Sequence, residues 1–137
     1  MILEPEVETR PWGEQLELDD ASYREQLTYL LERSRFYREK LAGFEPGGLA
    51  DIARLPLTEK DELRATRTPD DPIGTHLCAP PSEIVRIYST SGTTGTPSYV
   101  PLTAGDLESW VTGSARSYAA SGVAAGQRIV STYNAGP

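Results

Sequence analysis

An α/β fold is predicted for this chain, with a helical N-terminal segment followed by the first strands and a helix of a mixed domain. Three observations predict it. Tyr23, Leu27, Leu30, Leu31, Ser34, Tyr37 and Leu41 recur at steps of three and four, the spacing of one helix face. Two short apolar runs, Ile84 to Tyr88 and Tyr99 to Leu102, flank seven small residues, Ser89 to Gly95. A second helical pattern then leads to another strand-like run, so the order after residue 82 is strand, loop, strand, helix, strand.

Each element has its own justification. Residues 1–19 show no periodicity, and Pro5, Pro11 and Trp12 sit among acids, so an N-terminal arm over 1–21 packing through Trp12 is expected, with a partly ordered tail as the alternative. The helix is expected to start after Ser22, because Ser22-Tyr-Arg-Glu25 has the capping-box spacing. Arg24, Glu32, Arg33, Arg35, Arg38, Glu39 and Lys40 form its solvated side, and Gly43 closes it. Leu49 to Leu55 reads as a short helical turn stopped by Pro56. Thr58 then caps a helix whose first turn carries Glu59, Asp61 and Glu62. Prolines at 69, 72, 80 and 81 make 66–82 a loop and separate a helical segment, 22–82, from an α/β segment, 83–137. Thr103 caps a helix carrying Leu107, Trp110, Val111, Ser114, Tyr118 and Ala119, which Gly122 ends. Arg128 to Tyr133 reads as a strand.

Composition removes several function classes. The chain has 137 residues, enough for a core, and a net charge of −7, which opposes binding to nucleic acid or to anionic lipid. One cysteine excludes a disulfide framework or a four-cysteine zinc site. His76 and Cys78 are two residues apart, but with no further His or Cys they make a poor metal site and read as ordinary loop. The N-terminus has early acids and no apolar run, so no signal peptide is expected. No stretch approaches the ~20 apolar residues of a membrane span. A cytoplasmic protein is the resulting expectation.

The loop between the two apolar runs carries the chemistry. From Ile87 to Gly105 there are nineteen consecutive uncharged residues. Backbone N–H groups and hydroxyls crowded into one space suit an anion's oxygens, although a plain flexible turn has the same composition. A Walker A loop needs a lysine after its last glycine; Gly92 and Gly95 are three apart and no lysine follows. The loop is not a GxGxxG fingerprint either, and Pro97 with the β-type run after it places it between strands.

Tyr88-Ser-Thr-Ser-Gly-Thr-Thr-Gly-Thr-Pro97 resembles the phosphate-loop motif of the adenylate-forming enzymes: acyl- and aryl-CoA ligases, adenylation domains and luciferases. The flanks narrow the resemblance. LERSRFYREKL from Leu31 to Leu41, Leu55-Pro56 with Thr58-Glu-Lys-Asp-Glu-Leu63, Ile84-Val-Arg-Ile87 and the segment from Asp106 to Gly126 are similar to phenylacetate–coenzyme A ligases and their relatives. The similarity runs from residue 22 to 137. It implies that 83–137 starts the large adenylate-forming domain, with the phosphate loop at 89–97. It implies a two-step reaction: a carboxylic acid, in this branch an aromatic one, is activated by ATP as acyl-adenylate and then transferred to coenzyme A. ATP, Mg²⁺ and coenzyme A are the implied cofactors, the small acid the implied partner, and a homodimer the implied assembly.

Residue by residue, the resemblance carries ATP phosphate binding to Ser91, Gly92, Thr93, Thr94 and Gly95, with Thr90 and Thr96 as secondary candidates. Glycine lets the backbone come close to phosphate oxygens. Tyr133 matches a family position near the acyl pocket, and strand-end packing is its plain alternative. No catalytic residue and no metal ligand is assigned in this stretch. The sequence departs from the family at one point: loops of the family carry a lysine beside the proline, whereas Thr96 and Ser98 stand there. The lysines are Lys40 and Lys60, both in the helical segment, so charge neutralisation is expected to fall on Mg²⁺ and on arginines elsewhere. The family's adenine-, ribose- and metal-binding segments and its C-terminal lysine have no counterpart here, so these residues alone are not expected to complete the reaction. A relative with a different acceptor and a non-catalytic nucleotide-binding or truncated homologue are the alternatives.

Overall fold

The computed structural model describes residues 1–45, 47–90, 97–130 and 132. They contain helices α1 (Pro5–Glu8), α2 (Trp12–Arg33), α3 (Arg35–Lys40), α4 (Lys60–Ala65) and α5 (Ala104–Ala120), and strands β1 (Ile84–Ser89) and β2 (Tyr99–Thr103). The chain forms two compact units, Pro11–Thr103 and Met1–Arg10 with Ala104–Pro137. These units cut across the segments read from the sequence: β1 and β2 fall in the same unit as α2 to α4, while the first ten residues join the unit of α5.

In the larger unit, α2 starts ten residues before the expected cap. Pro11 (φ −55°) ends the extended chain, and its carbonyl accepts the Gln15 N–H at 3.0 Å. Gln15–Asp19 and Arg24–Asp20 contacts at i,i+4, 2.7 and 2.8 Å, run the helix past Ser22, which sits exposed in its middle. The arm expected over 1–21 is therefore mostly helix, and Trp12, expected to anchor it, is 69% exposed.

The helix expected to run on to Leu41 breaks at Ser34, whose ψ is 120°. Its hydroxyl accepts the Tyr37 N–H and donates to the Thr75 carbonyl, both at 3.2 Å. A serine hydroxyl competing for backbone groups favours a new helix start over continuation. Ser34 is fully buried, and the predicted face is the inward one, with Leu27 and Leu41 also buried. Thr75 accepts from the Phe36 N–H as well, at 3.1 Å, which joins the 66–78 loop to the start of α3.

Leu49–Arg54 forms the expected short turn, a 3-10 helix, and its Leu49 N–H donates to Asp20 at 2.6 Å. Helix α4 is capped by Glu59 rather than Thr58. The Glu62 carboxylate accepts the Glu59 N–H at 2.7 Å, a capping box displaced by one residue. Lys40 donates to the same carboxylate at 2.7 Å, tying α3 to α4.

Strands β1 and β2 form an antiparallel pair, with Ser89 opposite Tyr99 and Ile84 opposite Thr103, and a bulge between Ile84 and Arg86. The two runs flanking the small-residue loop are strands, as predicted, and they pair with each other as a hairpin. In the smaller unit, α5 ends as Gly122 predicts. Gly122 has φ +89°, its N–H reaches Ala119 and the Val123 N–H reaches Tyr118, both at 3.0 Å, the paired bonds of a Schellman closure. The Met1 ammonium donates to the Ala119 carbonyl at 2.9 Å, and Arg116 faces Glu4 and Glu8 at 3.6 and 3.8 Å. The strand expected at Arg128–Tyr133 is not formed by its described residues. Ile129 and Val130 are 60% and 88% exposed, and a β-run with no pairing partner among the described residues has no ladder to join.

Candidate functional site

The hairpin places the two ends of the loop side by side. The Thr90 N–H donates to the Ser98 carbonyl at 3.0 Å, and the Ser98 N–H donates to the Thr90 hydroxyl at 3.1 Å. This pair closes the neck of the loop one step beyond the last strand pair, Ser89–Tyr99. Of the seven predicted phosphate-binding residues, Thr90 stands at this neck. Ser91, Gly92, Thr93, Thr94, Gly95 and Thr96 lie outside the described residues, as does Tyr133.

Cations reach the neck from α4 and the turn after it. Lys60, at the first position of α4, donates to the Thr90 hydroxyl at 3.0 Å. Arg64, one turn on, donates through Nε to the Ser98 hydroxyl at 3.3 Å and also pairs with Asp61 at 2.9 Å. Arg67 donates to the Pro97 carbonyl at 2.6 Å, and its guanidinium lies 4.9 Å over the Tyr99 ring. Lys60 and Arg64 stand at i and i+4 on one face of α4, and Arg67 follows in the turn just past its end. The two lysines have different partners: Lys40 is held by Glu62, whereas Lys60 makes no ion pair with a carboxylate among the described residues.

A cavity of about 330 Å³ opens here, lined by the three cations, the Thr58, Thr90 and Ser98 side chains, Leu63, Ile73, His76, Tyr99 and Val100. His76 Nδ1 is buried without a hydrogen-bond partner among the described residues. Burial pushes the imidazole below its ordinary value; Asp71 raises it and Arg67 lowers it further. Gly74 makes this placement feasible. It has φ +103°, and a Cβ there would run into the Thr66 hydroxyl and crowd His76 Nδ1. The Thr66 hydroxyl meanwhile accepts the Thr75 N–H at 3.2 Å.

An array of one ammonium, the Arg64 guanidinium and two hydroxyls at the neck can hold a polyanion's oxygens. It fits the phosphates of a nucleotide. No group of three or more His, Cys, Asp or Glu that could hold a metal lies together among the described residues. Cys78, half-buried, has its thiol raised chiefly by burial, and donates to the His76 carbonyl at 3.5 Å. No helix of the described residues is long and apolar enough to cross a membrane.

Sequence reasoning placed the loop but missed Lys60, Arg64 and Arg67 as its neighbours. Thirty residues separate Lys60 from Thr90, so nothing local links them. The available signal was one of charge: an anion loop without its own cation needs one from another element, and Lys60 lies within the Thr58–Leu63 segment that carries part of the resemblance.

No protein-family model matches the chain. Among curated proteins it is similar to the phenylacetate-coenzyme A ligase of Thermus thermophilus, 36% identical over 99% of this chain and 31% of that protein. It is similar to the enzyme of the same name from Escherichia coli, 32% identical over 95% of this chain and 30% of that protein. Among solved structures it resembles 2-hydroxyisobutyryl-CoA ligase in complex with 2-HIB-AMP in the postadenylation state. The TM-score is 0.76 at 29% identity, covering 87% of this chain and 26% of that one. The same ligase with 2-HIB-AMP and CoA in the thioesterification state matches with a TM-score of 0.73 and 34% identity over 82% and 25%. The chain spans about a third of the length of the curated relatives it matches.

Proposed function

We propose that this chain, a homologue of the phenylacetate–coenzyme A ligases within the adenylate-forming superfamily, is part of an enzyme that couples a carboxylic acid to coenzyme A through an acyl-adenylate. In the first step a carboxylate oxygen forms a bond to the α-phosphorus of ATP. The bond from that phosphorus to the bridging oxygen breaks, and pyrophosphate leaves. In the second step the thiol of coenzyme A displaces AMP from the acyl carbon. The observation that carries the reading is the cationic neck, where Lys60 and Arg64 hydrogen-bond to the hydroxyls that close the loop.

The contribution of these residues is to the first step. Negative charge accumulates on the departing pyrophosphate, and donors fixed beside it stabilise that charge without reorganising. Ser91 through Gly95 supply backbone N–H groups and hydroxyls to the β- and γ-phosphates, and Thr90 and Thr96 flank them. Lys60 supplies the positive charge that other loops of the family carry beside the proline, and it does so from α4. Mg²⁺ would add charge neutralisation when bound; no ligand for it is assigned here. Coenzyme A is the acceptor by the names of the relatives, and no residue of this chain is assigned to it.

The acid is read as aromatic, from the phenylacetate of the curated relatives' names, and the family resemblance assigns Tyr133 to its pocket. The structural neighbour acts on a small hydroxy acid by its name, so the panel must hold both kinds. A homodimer in the cytoplasm is the accompanying proposal. The test is acid-dependent exchange of pyrophosphate into ATP by the full-length protein, with phenylacetate and 2-hydroxyisobutyrate among the acids. Exchange followed by CoA-dependent AMP release supports the ligase. Exchange without that release points to a different acceptor, and ATP-induced thermal stabilisation without exchange points to a non-catalytic homologue.

A further inference from the structure

The loop is held at its exit by a residue that no phosphate-binding motif includes. Arg67 makes two contacts there, the 2.6 Å hydrogen bond to the Pro97 carbonyl and the 4.9 Å stack on Tyr99. Its own backbone is fixed, because the Arg67 N–H closes a turn onto the Arg64 carbonyl at 3.2 Å. The turn continues α4, the helix that carries Lys60 and Arg64. Pro97 has no N–H and a fixed φ, so a single bond to its carbonyl, backed by the neighbouring ring, sets where the chain leaves the loop. One residue later, Ser98 bonds through its backbone to Thr90 and presents its hydroxyl to Arg64.

We propose that Arg67 is a positioning residue: its hold on Pro97 and Tyr99 fixes the loop exit in register with the Lys60–Arg64 face of α4. This inference rests on the phosphate-binding reading for its kinetic consequence but not for its structural one. Arg67 clamps through a carbonyl and a ring, whereas Lys60 and Arg64 act through hydroxyls that face the cavity. Lys60 and Arg64 on α4 therefore present charge, and Arg67 in the turn after it sets geometry. A small displacement of charge-stabilising groups costs more in the transition state than in ground-state binding.

The experiment compares wild type, Arg67→Ala, Arg67→Gln and Arg67→Lys in the full-length protein. Amide hydrogen exchange is followed in the peptide covering 88–99, and acid-dependent pyrophosphate exchange is measured as a function of ATP. For Arg67→Ala and Arg67→Gln the expected result is about fivefold or greater acceleration of amide exchange confined to 88–99. The turnover should fall about 10- to 100-fold, with KM for ATP within about threefold. Arg67→Lys, which keeps a donor and a cation over the ring, should recover most of both. Local amide exchange at the wild-type rate in Arg67→Gln overturns the clamp, whatever turnover does. A rise in KM with unchanged turnover overturns the positioning role and makes Arg67 a binding residue. Absence of pyrophosphate exchange in wild type defeats the functional reading alone, and the 88–99 amides still decide the clamp. If Arg67→Ala opens the whole chain, the 88–99 amides of Arg67→Gln and Arg67→Lys decide it.

Discussion

Replacing Lys60 by methionine removes the ammonium from the loop neck while keeping an unbranched stem on α4. The magnitude follows from the geometry. Lys60 Nζ lies 3.0 Å from Thr90 Oγ1, so a phosphate oxygen held at the neck comes within hydrogen-bond reach of the same ammonium. Two unit charges about 4 Å apart at an effective dielectric of about 20 attract by about 4 kcal/mol. Lys60 is solvent-exposed, which reduces that figure. Hydrogen bonds to charged groups contribute about 1.5–3 kcal/mol net, which sets the working range. At about 1.36 kcal/mol per decade, Lys60→Met should lower turnover over KM for ATP in pyrophosphate exchange about 10- to 150-fold. Folding stability should change by less than about 0.5 kcal/mol, as for other exposed substitutions. The assay is acid-dependent exchange in the full-length protein, with urea unfolding alongside. Exchange within twofold of wild type at unchanged stability would refute the assignment of Lys60 as the loop's cation.

Other perturbations test the scaffold and its titrating groups. Ser34→Ala strips the buried hydroxyl that starts α3 and holds Thr75, and should cost about 1–3 kcal/mol in urea unfolding. Gly74→Ala forces a side chain onto φ +103° and into the Thr66 hydroxyl, and should destabilise by about 1–3 kcal/mol; a neutral result in the same assay contradicts the close approach. The depressed His76 pKa means that its stabilisation is fully present above the unfolded value near 6.5. It is lost as pH falls through the lower folded value, so imidazole NMR should titrate below 6.5 and His76→Gln should flatten the stability profile in that window. The Glu62 carboxylate is held low, first by the Glu59 N–H and then by Lys40. Its contribution is complete above the ordinary glutamate range and fades as pH falls through the folded value, and Glu62→Gln should remove that acid-side slope.

Where the chain's information is local, the sequence was sufficient. The two strands followed from apolar runs around small residues, though not their antiparallel pairing, the end of α5 from Gly122, and the buried face of α2 from its spacing. The departures share a physical origin in competition that spacing does not reveal. Ser22 has the pattern of a cap, but Pro11 and the i,i+4 pairs from Gln15 onward start the helix first. Ser34 sits on the apolar face as a helix residue would, yet its hydroxyl has the Thr75 carbonyl, forty-one residues away, as a partner. Arg128 to Val130 has strand composition without a strand beside it among the described residues. The candidate site shows the same split. Its loop was read from a contiguous motif, whose residues 91–96 lie outside the described ones, whereas its cations come from residues 60–67 and meet the loop neck through the fold.

The neck formed by Thr90, Ser98 and α4 is proposed to serve a pyrophosphate-releasing activation of a carboxylic acid. Exchange of labelled pyrophosphate into ATP by the full-length protein tests that chemistry most directly. Exchange should require an added acid and fall at least about tenfold in Lys60→Met. Exchange absent with every acid of a panel spanning phenylacetate and 2-hydroxyisobutyrate, in protein that is folded and binds ATP, would contradict it.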